Sequence, residues 1–284
     1  MPTPRVLIGS PVRQAADILN PFLTSLERLD AKRHSADFLF IDDNESPEAS
    51  LELAAFQSRT MGRRSVLIWP SQEPSVPYRC NEVTHEWNET LVWRVAAMKD
   101  RIITHAKTHD YDYLFLIDSD VLVSPDTIDR LLTAEKDIIC NIFWTSWQPG
   151  TIEMPQVWLQ DVYSLVQKGR SESLSDEEAN RRLHAFLQQL REPGIYEVGG
   201  LGACTLISRQ AIRAGVRFAE IRNVSFWGED RHFCIRAAAL GFPLFVDTRR
   251  PAYHIYRPSN LQGVDAYLHA TSQHYAEGGE HGPN

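Results

Sequence analysis

The segment Tyr113-Leu-Phe-Leu-Ile-Asp-Ser-Asp-Val-Leu-Val123 limits the possible folds more than any other stretch of the chain. A short apolar run ends abruptly in two carboxylates, Asp118 and Asp120, one residue apart. A run without a polar face reads as a strand buried on both sides, as in the parallel sheet of an α/β protein. Ligands of such sheets gather outside the carboxyl ends of the strands, which is where the two aspartates stand. Carboxylates this close repel each other unless a cation, a proton or a set of donors compensates them. Hard divalent cations that also hold phosphates take such oxygen ligands. The segment therefore points to an enzyme that uses a metal and a phosphorylated substrate.

The flanking sequence supports an α/β sheet. Arg5–Gly9 reads as a first strand, followed by a turn at Ser10-Pro11 and a helix over 14–29 that carries Ile18, Phe22, Leu26 and Leu29 at helical spacing. Asp37–Ile41 is a second strand ending in Asp42-Asp43, and Ser65–Trp69 a third. This is a βαβ opening, which favours parallel pairing. Residues 70–86 hold Pro70, Pro74 and Pro77 and read as loop. Residues 87–107 form the clearest amphipathic helix, with Leu91, Val95, Met98, Ile102 and Ala106 on one stripe and Arg94, Lys99 and Arg101 read as lying off it. Beyond the Asp-Ser-Asp strand, Ser124-Pro125 opens a helix and Asp137–Asn141 is a further strand. Region 141–195 is irregular and rich in Trp, with a helix from Ser175 to Leu190. Gly199–Ile207 is a glycine turn running into a strand, Ser208–Gly215 a short helix, and Gly228 opens a helix that buries Phe233, Ala237 and Leu240 before Gly241. Phe242–Asp247 is a strand and Pro251–Tyr256 an edge segment. The tail from Pro258 is polar and is expected to be either a lid or disordered.

Composition excludes several classes. An apolar fraction of 43% and a charged fraction of 23% are those of an ordinary globular protein, and a core of this size needs no staples. Net charge is −8, which disfavours nucleic-acid binding. Cys80, Cys140, Cys204 and Cys234 form no C-x-x-C pair, so neither a zinc knuckle nor a disulfide framework is expected, and the thiols read as reduced and mostly buried. No signal peptide or membrane-length apolar run is visible. The expectation is a cytoplasmic protein with no integral membrane segment.

Further carboxylates and one histidine are candidates for the chemistry. Asp42 and Asp43 close a strand at the same sheet edge as Asp118, where a carboxylate can accept from a nucleobase N–H or a ribose hydroxyl; alone they also read as an ordinary turn. Glu229 and Asp230 occupy the first turn of a helix, which favours their ionised forms and suits a general base. His254 follows a strand-like segment, and a lone histidine is more often structural than a ligand. The sequence Gly199-Gly-Leu-Gly202 precedes a strand rather than a helix, so the dinucleotide fingerprint is rejected in favour of close backbone approach or a turn.

Taken in order over residues 5–257, these pieces resemble a metal-dependent GT-A glycosyltransferase, nearest to the family 2 group. Phe40-Ile-Asp-Asp-Asn44 is similar to that family's nucleotide-binding turn, Leu116-Ile-Asp-Ser-Asp120 to its DxD motif, and Gly199–Ile207 to the strand beneath its acceptor site. Phe226-Trp-Gly-Glu-Asp-Arg-His-Phe-Cys-Ile-Arg236 resembles its ED helix, and Pro251-Ala-Tyr-His254 its closing strand with a metal-binding histidine. The resemblance implies a Rossmann-like α/β single domain over 1–257 with a mostly parallel central sheet flanked by helices. Residues 1–140 would be its nucleotide half, 141–257 its acceptor half, and 258–284 the tail. It implies that Asp43 pairs with the base of a UDP- or GDP-sugar, with Ser10 and Val12 lining the nucleotide pocket. Asp118, with Ser119, would meet the ribose or sugar; Asp120 and His254 would hold Mn²⁺ or Mg²⁺; Asp230 would be the general base of an inverting transfer. One of Arg94, Lys99 and Arg101 would reach the diphosphate, with Arg101 included among the donor-binding residues. Trp144, Trp227, Glu229 and Gly200 would face the acceptor, a carbohydrate, lipid-linked, small-molecule or peptide hydroxyl. The sequence departs from the family after the first strand, at Gly9-Ser-Pro-Val12, and lacks the Q-x-x-R-W motif of processive synthases, which favours a single transfer. Oligomeric state is left open.

Two rivals remain at this stage. The Asp-Ser-Asp segment also looks like the first motif of haloacid-dehalogenase-like phosphatases, but a βαβ unit and a third strand precede it here, and Gly228-Glu-Asp-Arg-His-Phe233 supplies no G-D-x-x-x-D. A catalytically inactive sugar-nucleotide binder is the other; it would not need Asp120, Asp230 and His254 together.

Overall fold

The computed structural model describes residues 3–72, 76–78, 81–82, 85–226 and 228–278. Cys80, Trp227 and the end of the tail therefore lie outside the described residues. In chain order the elements are β1 (Arg5–Val12), α1 (Ala16–Glu27), β2 (Ser35–Asp42), α2 (Pro47–Thr60), β3 (Val66–Pro70), α3 (Glu89–Thr108), β4 (Tyr113–Leu116), β5 (Val121–Leu122), α4 (Thr127–Thr133) and β6 (Ile138–Asn141). They continue with β7 (Trp144–Thr145), β8 (Met154–Pro155), β9 (Val157–Trp158), α5 (Asp176–Arg191), β10 (Ile195–Val198), β11 (Gly200–Leu201), β12 (Thr205–Ser208) and α6 (Arg209–Ala214). The last are α7 (Glu229–Ala239), β13 (Leu244–Asp247), β14 (Tyr253–His254), a 3₁₀ turn (Pro258–Gly263) and α8 (Val264–Gly278).

Eight strands form one sheet in the order β10-β13-β6-β12-β4-β1-β2-β3. Strands β4, β1, β2 and β3 run parallel, as do β6 and β13. Strand β12 is inserted antiparallel between β4 and β6, and β10 pairs antiparallel with β13. Alternate side chains of each strand enter two separate cores, as the pleat requires. Val6, Ile8, Phe38, Phe40 and Phe115 face the layer that holds α1, α2 and α8. Leu7, Leu39, Ile41, Leu114 and Leu116 face the layer of α3, α5, α6 and α7. A sheet covered on both faces explains why its central strands carry no polar face.

Several elements differ from their sequence reading. Strand β1 does not turn at Ser10-Pro11 but pairs with β2 through Val12↔Asp42. Its pairing with β4 stops at Gly9, so Pro11, which has no N–H to give, sits where one side of the strand is unpaired. Helix α2, absent from that reading, buries Ala49, Leu53 and Phe56; the Phe56 ring meets Phe38 and Phe40 edge-on at 5.2 and 5.5 Å. Helix α4 starts at Thr127 with Asp126 at its cap position, and Ser124 Oγ bonds Asp126 and Thr127 instead of a backbone N–H. Leu240 is 42% exposed rather than buried, because α7 ends at Ala239. Strand β14 pairs not with the large sheet but with β5, as an antiparallel ribbon. The tail is helical through Gly278 rather than disordered, and it buries Val264 and Leu268 in the first core.

Two backbone features shape the region around β9 and β11. A Cβ on Gly200 would fall inside the Trp158 indole, and one on Gly199 onto the Leu159 carbonyl, so the glycine turn does serve close approach. After β9, Gln160 and Ser164 exchange backbone hydrogen bonds of 3.1 Å each, closing a tight turn whose Val162 and Tyr163 have φ of 61° and 57°. A β-branched residue at positive φ is strained. The turn is held by buried Arg231, whose Nε donates to Asp161 Oδ1 at 2.5 Å.

Gly200→Ala is expected to lower stability by about 1–3 kcal/mol through overpacking against Trp158, read from urea denaturation. Val162→Gly is expected to raise it by about 0.5 kcal/mol, because relief of about 1–2 kcal/mol of left-handed strain exceeds the extra chain entropy of glycine, about 0.5–1 kcal/mol. A destabilised Val162→Gly protein would contradict the strain.

Candidate functional site

A cavity of about 590 Å³ opens at the carboxyl ends of β1, β2 and β4, within the size range of small-molecule sites. Val12, Asp43, Asp118, Ser119 and Asp120 line its sheet side. The turn after β4 carries the last three because Ile117 N still donates to Gly9 O at 3.1 Å, extending the β1 pairing to the edge of the motif.

The β5–β14 ribbon sets His254 opposite Val121 and lets Ile255 N donate to Asp120 O at 2.8 Å. His254 Nε2 thereby lies 3.6 Å from Asp120 Oδ1, while its Nδ1 is engaged by Thr145 Oγ1 at 2.7 Å. A second-sphere bond of this kind orients a ligating imidazole. Gln14 Nε2 donates to the other Asp120 oxygen at 3.3 Å. Two ligand atoms about 2.1 Å from one cation lie about 3–4 Å apart, so the pair fits a shared ion. Among the described residues no group of three or more His, Cys, Asp or Glu converges. A two-residue set does not suit a closed zinc site but suits Mg²⁺ or Mn²⁺, which keep waters and take phosphate oxygens. Burial pushes the Asp120 carboxyl up, but the charge and hydrogen bond of His254 and the charge of His85 outweigh it and hold the group below its ordinary value.

The N-terminal turn of α7 lines the same cavity as Asp120 and His254. Lys99 Nζ of α3 donates to Glu229 Oε1 at 2.9 Å and Asp230 Oδ1 at 3.3 Å, and lies 3.7 Å from Asp118 Oδ1. Asp118 and Asp230 keep 44% and 25% of their side-chain surface, but both face the cavity, and the walls strip much of their hydration. Burial accordingly raises the Asp230 carboxyl to about 7, with Glu229 and Asp118 adding to the rise and Lys99 opposing it. Burial also raises Asp118, which Lys99 partly offsets.

Asp43 is not a free carboxylate. Arg94 grips it through Nε at 2.9 Å and a second, shorter bond from Nη2, and Arg13 Nη1 lies 3.7 Å away. Arg94 and Lys99, read as off the apolar stripe of α3, are both buried. Arg94 in fact follows Leu91 by three and precedes Met98 by four, so its position on the buried face was available from spacing.

Other expected residues are placed elsewhere. Ser10 is fully buried, its Oγ bonding Pro11 O at 3.1 Å. Arg101 points to the sheet edge, over the Trp69 ring at 5.6 Å and near Pro70 O. Trp144 lies under the guanidinium of Arg191 at 3.4 Å, and Gly200 packs beneath Trp158; none of the four lines the cavity. Trp227 is outside the described residues. In their place the cavity takes Arg13, His85, Trp147, Tyr163 and Phe226. His85 stacks on Tyr256 at 4.0 Å and bonds its carbonyl at 2.5 Å, a contact between distant segments that no local pattern announces. Among the described residues, none of α8 lines the cavity.

Residues 3–146 match the family model described as "Glycosyltransferase family 25, N-terminal domain". A "Glycosyltransferase 25 family member" of Drosophila pseudoobscura pseudoobscura is 24% identical over 225 residues, covering 68% of this chain and 36% of that protein. The chain thus spans about a third of the length of this relative. Among solved structures, S. aureus TarS 1–349 in complex with UDP superposes with a TM-score of 0.51 at 10% identity, over 94% of this chain and 65% of that one. The mannosyltransferase PcManGT from Pyrobaculum calidifontis, in complex with GDP-Man and Mn²⁺, does so with a TM-score of 0.50 at 11% identity, over 99% and 76%. At these identities the likeness is one of fold, and it is the GT-A fold expected from the motifs. The matching family is 25, where the motif order resembled family 2 most.

Proposed function

The chain belongs to glycosyltransferase family 25, and from that premise we propose that it moves a sugar from a nucleoside-diphosphate sugar to an acceptor hydroxyl, once per encounter and with inversion. The observation that carries this reading is a single cavity lined both by the Asp120–His254 pair and by Asp230, raised to about 7. A donor held by the first presents its anomeric carbon to an acceptor activated by the second. Residues 1–257 are read as one catalytic domain, with 1–140 serving the nucleotide and 141–257 the acceptor.

Asp120 and His254 would hold Mn²⁺ or Mg²⁺. When bound, the cation supplies positive charge to the diphosphate leaving group. Val12 lines the nucleotide pocket, and Asp43, fixed by Arg94, serves the base end of the donor. Asp118 and Ser119 meet the ribose or the sugar. Asp230 accepts the proton of the attacking hydroxyl as the new glycosidic bond forms and the bond to the diphosphate breaks. Attack from the side opposite the leaving group inverts the anomeric centre. The donor carries UDP or GDP, as in the two solved neighbours. The acceptor hydroxyl, on a carbohydrate, lipid-linked, small-molecule or peptide substrate, sits among Trp147, Tyr163 and Phe226, with Glu229 beside it. The buried free thiols of Cys140, Cys204 and Cys234 suit a reducing, cytoplasmic setting. No helix among the described residues is long and apolar enough to cross a membrane. The phosphatase alternative is not favoured by the family or by the fold.

Calorimetric titration with UDP and GDP, with and without Mn²⁺, tests the donor site. Asp120→Asn should weaken metal-dependent nucleotide binding by at least about tenfold, whereas Asp230→Asn should bind normally and lose about 10²–10⁴ in transfer rate. If the wild type binds neither nucleotide, the reading is wrong. Because Asp230 works deprotonated, kcat/KM should rise with pH until about 7 and level off above it; a profile flat from pH 5.5 to 8 would remove Asp230 as the base.

A further inference from the structure

Lys99 is 3% exposed, and its ammonium meets three carboxylates from two elements: Asp118 after β4, and Glu229 and Asp230 on α7. The fourth side is closed by the Phe218 ring, 5.0 Å from Nζ. The residue after it, Asp100, accepts from Phe218 N at 2.7 Å and Ala219 N at 3.0 Å. Helix α3 thus fixes both the ring under the ammonium and the carboxylates above it. We propose that Lys99 is the positioning residue of the site, tying the donor-side carboxylate to the base and setting the pH range in which Asp230 is free to take a proton. This rests on the transferase reading for the identity of the base, but not for the charge cluster itself.

A buried ammonium is tolerated only when paired. With all three carboxylates ionised, one Lys leaves the cluster at a net charge of −2, so it holds Asp230 in place without fully discharging it. Among the described residues, the groups that face Asp230 are Lys99 from α3, Asp118 from the end of β4, Glu229 and Cys234 from its own helix, and Tyr163 from the turn after β9. Lys99 is the one cation among them. Its removal leaves Asp230 facing like charge, so the carboxyl holds its proton to higher pH. The same ammonium touches Asp118, so anything that draws Asp118 toward a bound donor alters the share of positive charge left to Asp230.

The test is a double-mutant cycle between Lys99→Met and Asp230→Asn, followed by urea denaturation at pH 8.5 and pH 5.5. The cycle should show a coupling of at least about tenfold in the unfolding constant at pH 8.5, shrinking at pH 5.5 where Asp230 is protonated. No coupling, or the same coupling at both pH values, overturns the proposal. If Lys99→Met does not fold, Lys99→Gln takes its place in the cycle. In parallel, release of nucleoside diphosphate from UDP- and GDP-sugars with Mn²⁺ is followed against pH. Lys99→Met should move the rising limb above pH 7, and Lys99→Arg should restore it; an unmoved limb also overturns the proposal. Pair coupling in a protein that binds neither UDP nor GDP would leave the charge cluster standing and reject the transferase reading instead.

Discussion

Strand β4 is apolar on both faces and paired on both edges, and the site depends on that constraint. Parallel β1 holds one edge and antiparallel β12 the other, so β4 can neither slide nor tilt without exposing Leu114, Phe115 or Leu116 to water. A one-residue slip would exchange its two faces between unlike cores. The rigidity passes directly to Asp118 and Asp120, which follow within a few residues. Their repulsion is then met on two sides by different partners, His254 for Asp120 and Lys99 for Asp118.

This division separates two carboxylates that are chemically alike. His254 and His85 pull the Asp120 group below its ordinary value, whereas burial lifts Asp118 and Asp230 above theirs. Environments that push carboxylates apart let one cavity hold one carboxylate ionised and another protonated near neutrality. The dipole of α7 favours ionised groups at its first turn, but burial beside Glu229 and Asp118 prevails at Asp230. The wall that removes water from the cavity is therefore also what lifts the Asp230 carboxyl to about 7.

Much of the sheet was legible because its cause is local. The unbroken apolar runs Phe38-Leu39-Phe40-Ile41 and Leu114-Phe115-Leu116 announce a sheet covered on both faces. Helix α2 and the burial of Arg94 were missed, although Ala49, Leu53 and Phe56 follow helical spacing and Arg94 falls between Leu91 and Met98 on the buried face of α3. What local pattern could not carry was the partner of each charge. Arg94 meets Asp43, Lys99 meets Asp230, and His254 meets Asp120 only after α3, α7 and β14 have docked from distant parts of the chain. His254 stood in the sequence only as a lone histidine until the resemblance made it a ligand, and Arg101, two residues beyond Lys99 on the same helix, is turned toward Trp69 instead.

The strained turn at Val162 and Tyr163 is kept in register with the first turn of α7. Left-handed residues persist only where the surroundings over-determine them, and here the restraint comes from Arg231, the neighbour of Asp230 on α7. Its guanidinium also donates to Ser225 O at 2.6 Å, so one buried arginine joins the turn after β9, the approach to α7 and the base helix. The Tyr163 ring packs on Trp158 at 4.5 Å, and Trp158 rests on Gly200, so the wall is anchored below as well as beside. A displacement of α7 would therefore carry Tyr163 with it. Tyr163 and Asp230 are thus held together within one small unit, while β4 places Asp118 and Asp120, and Lys99 joins the two.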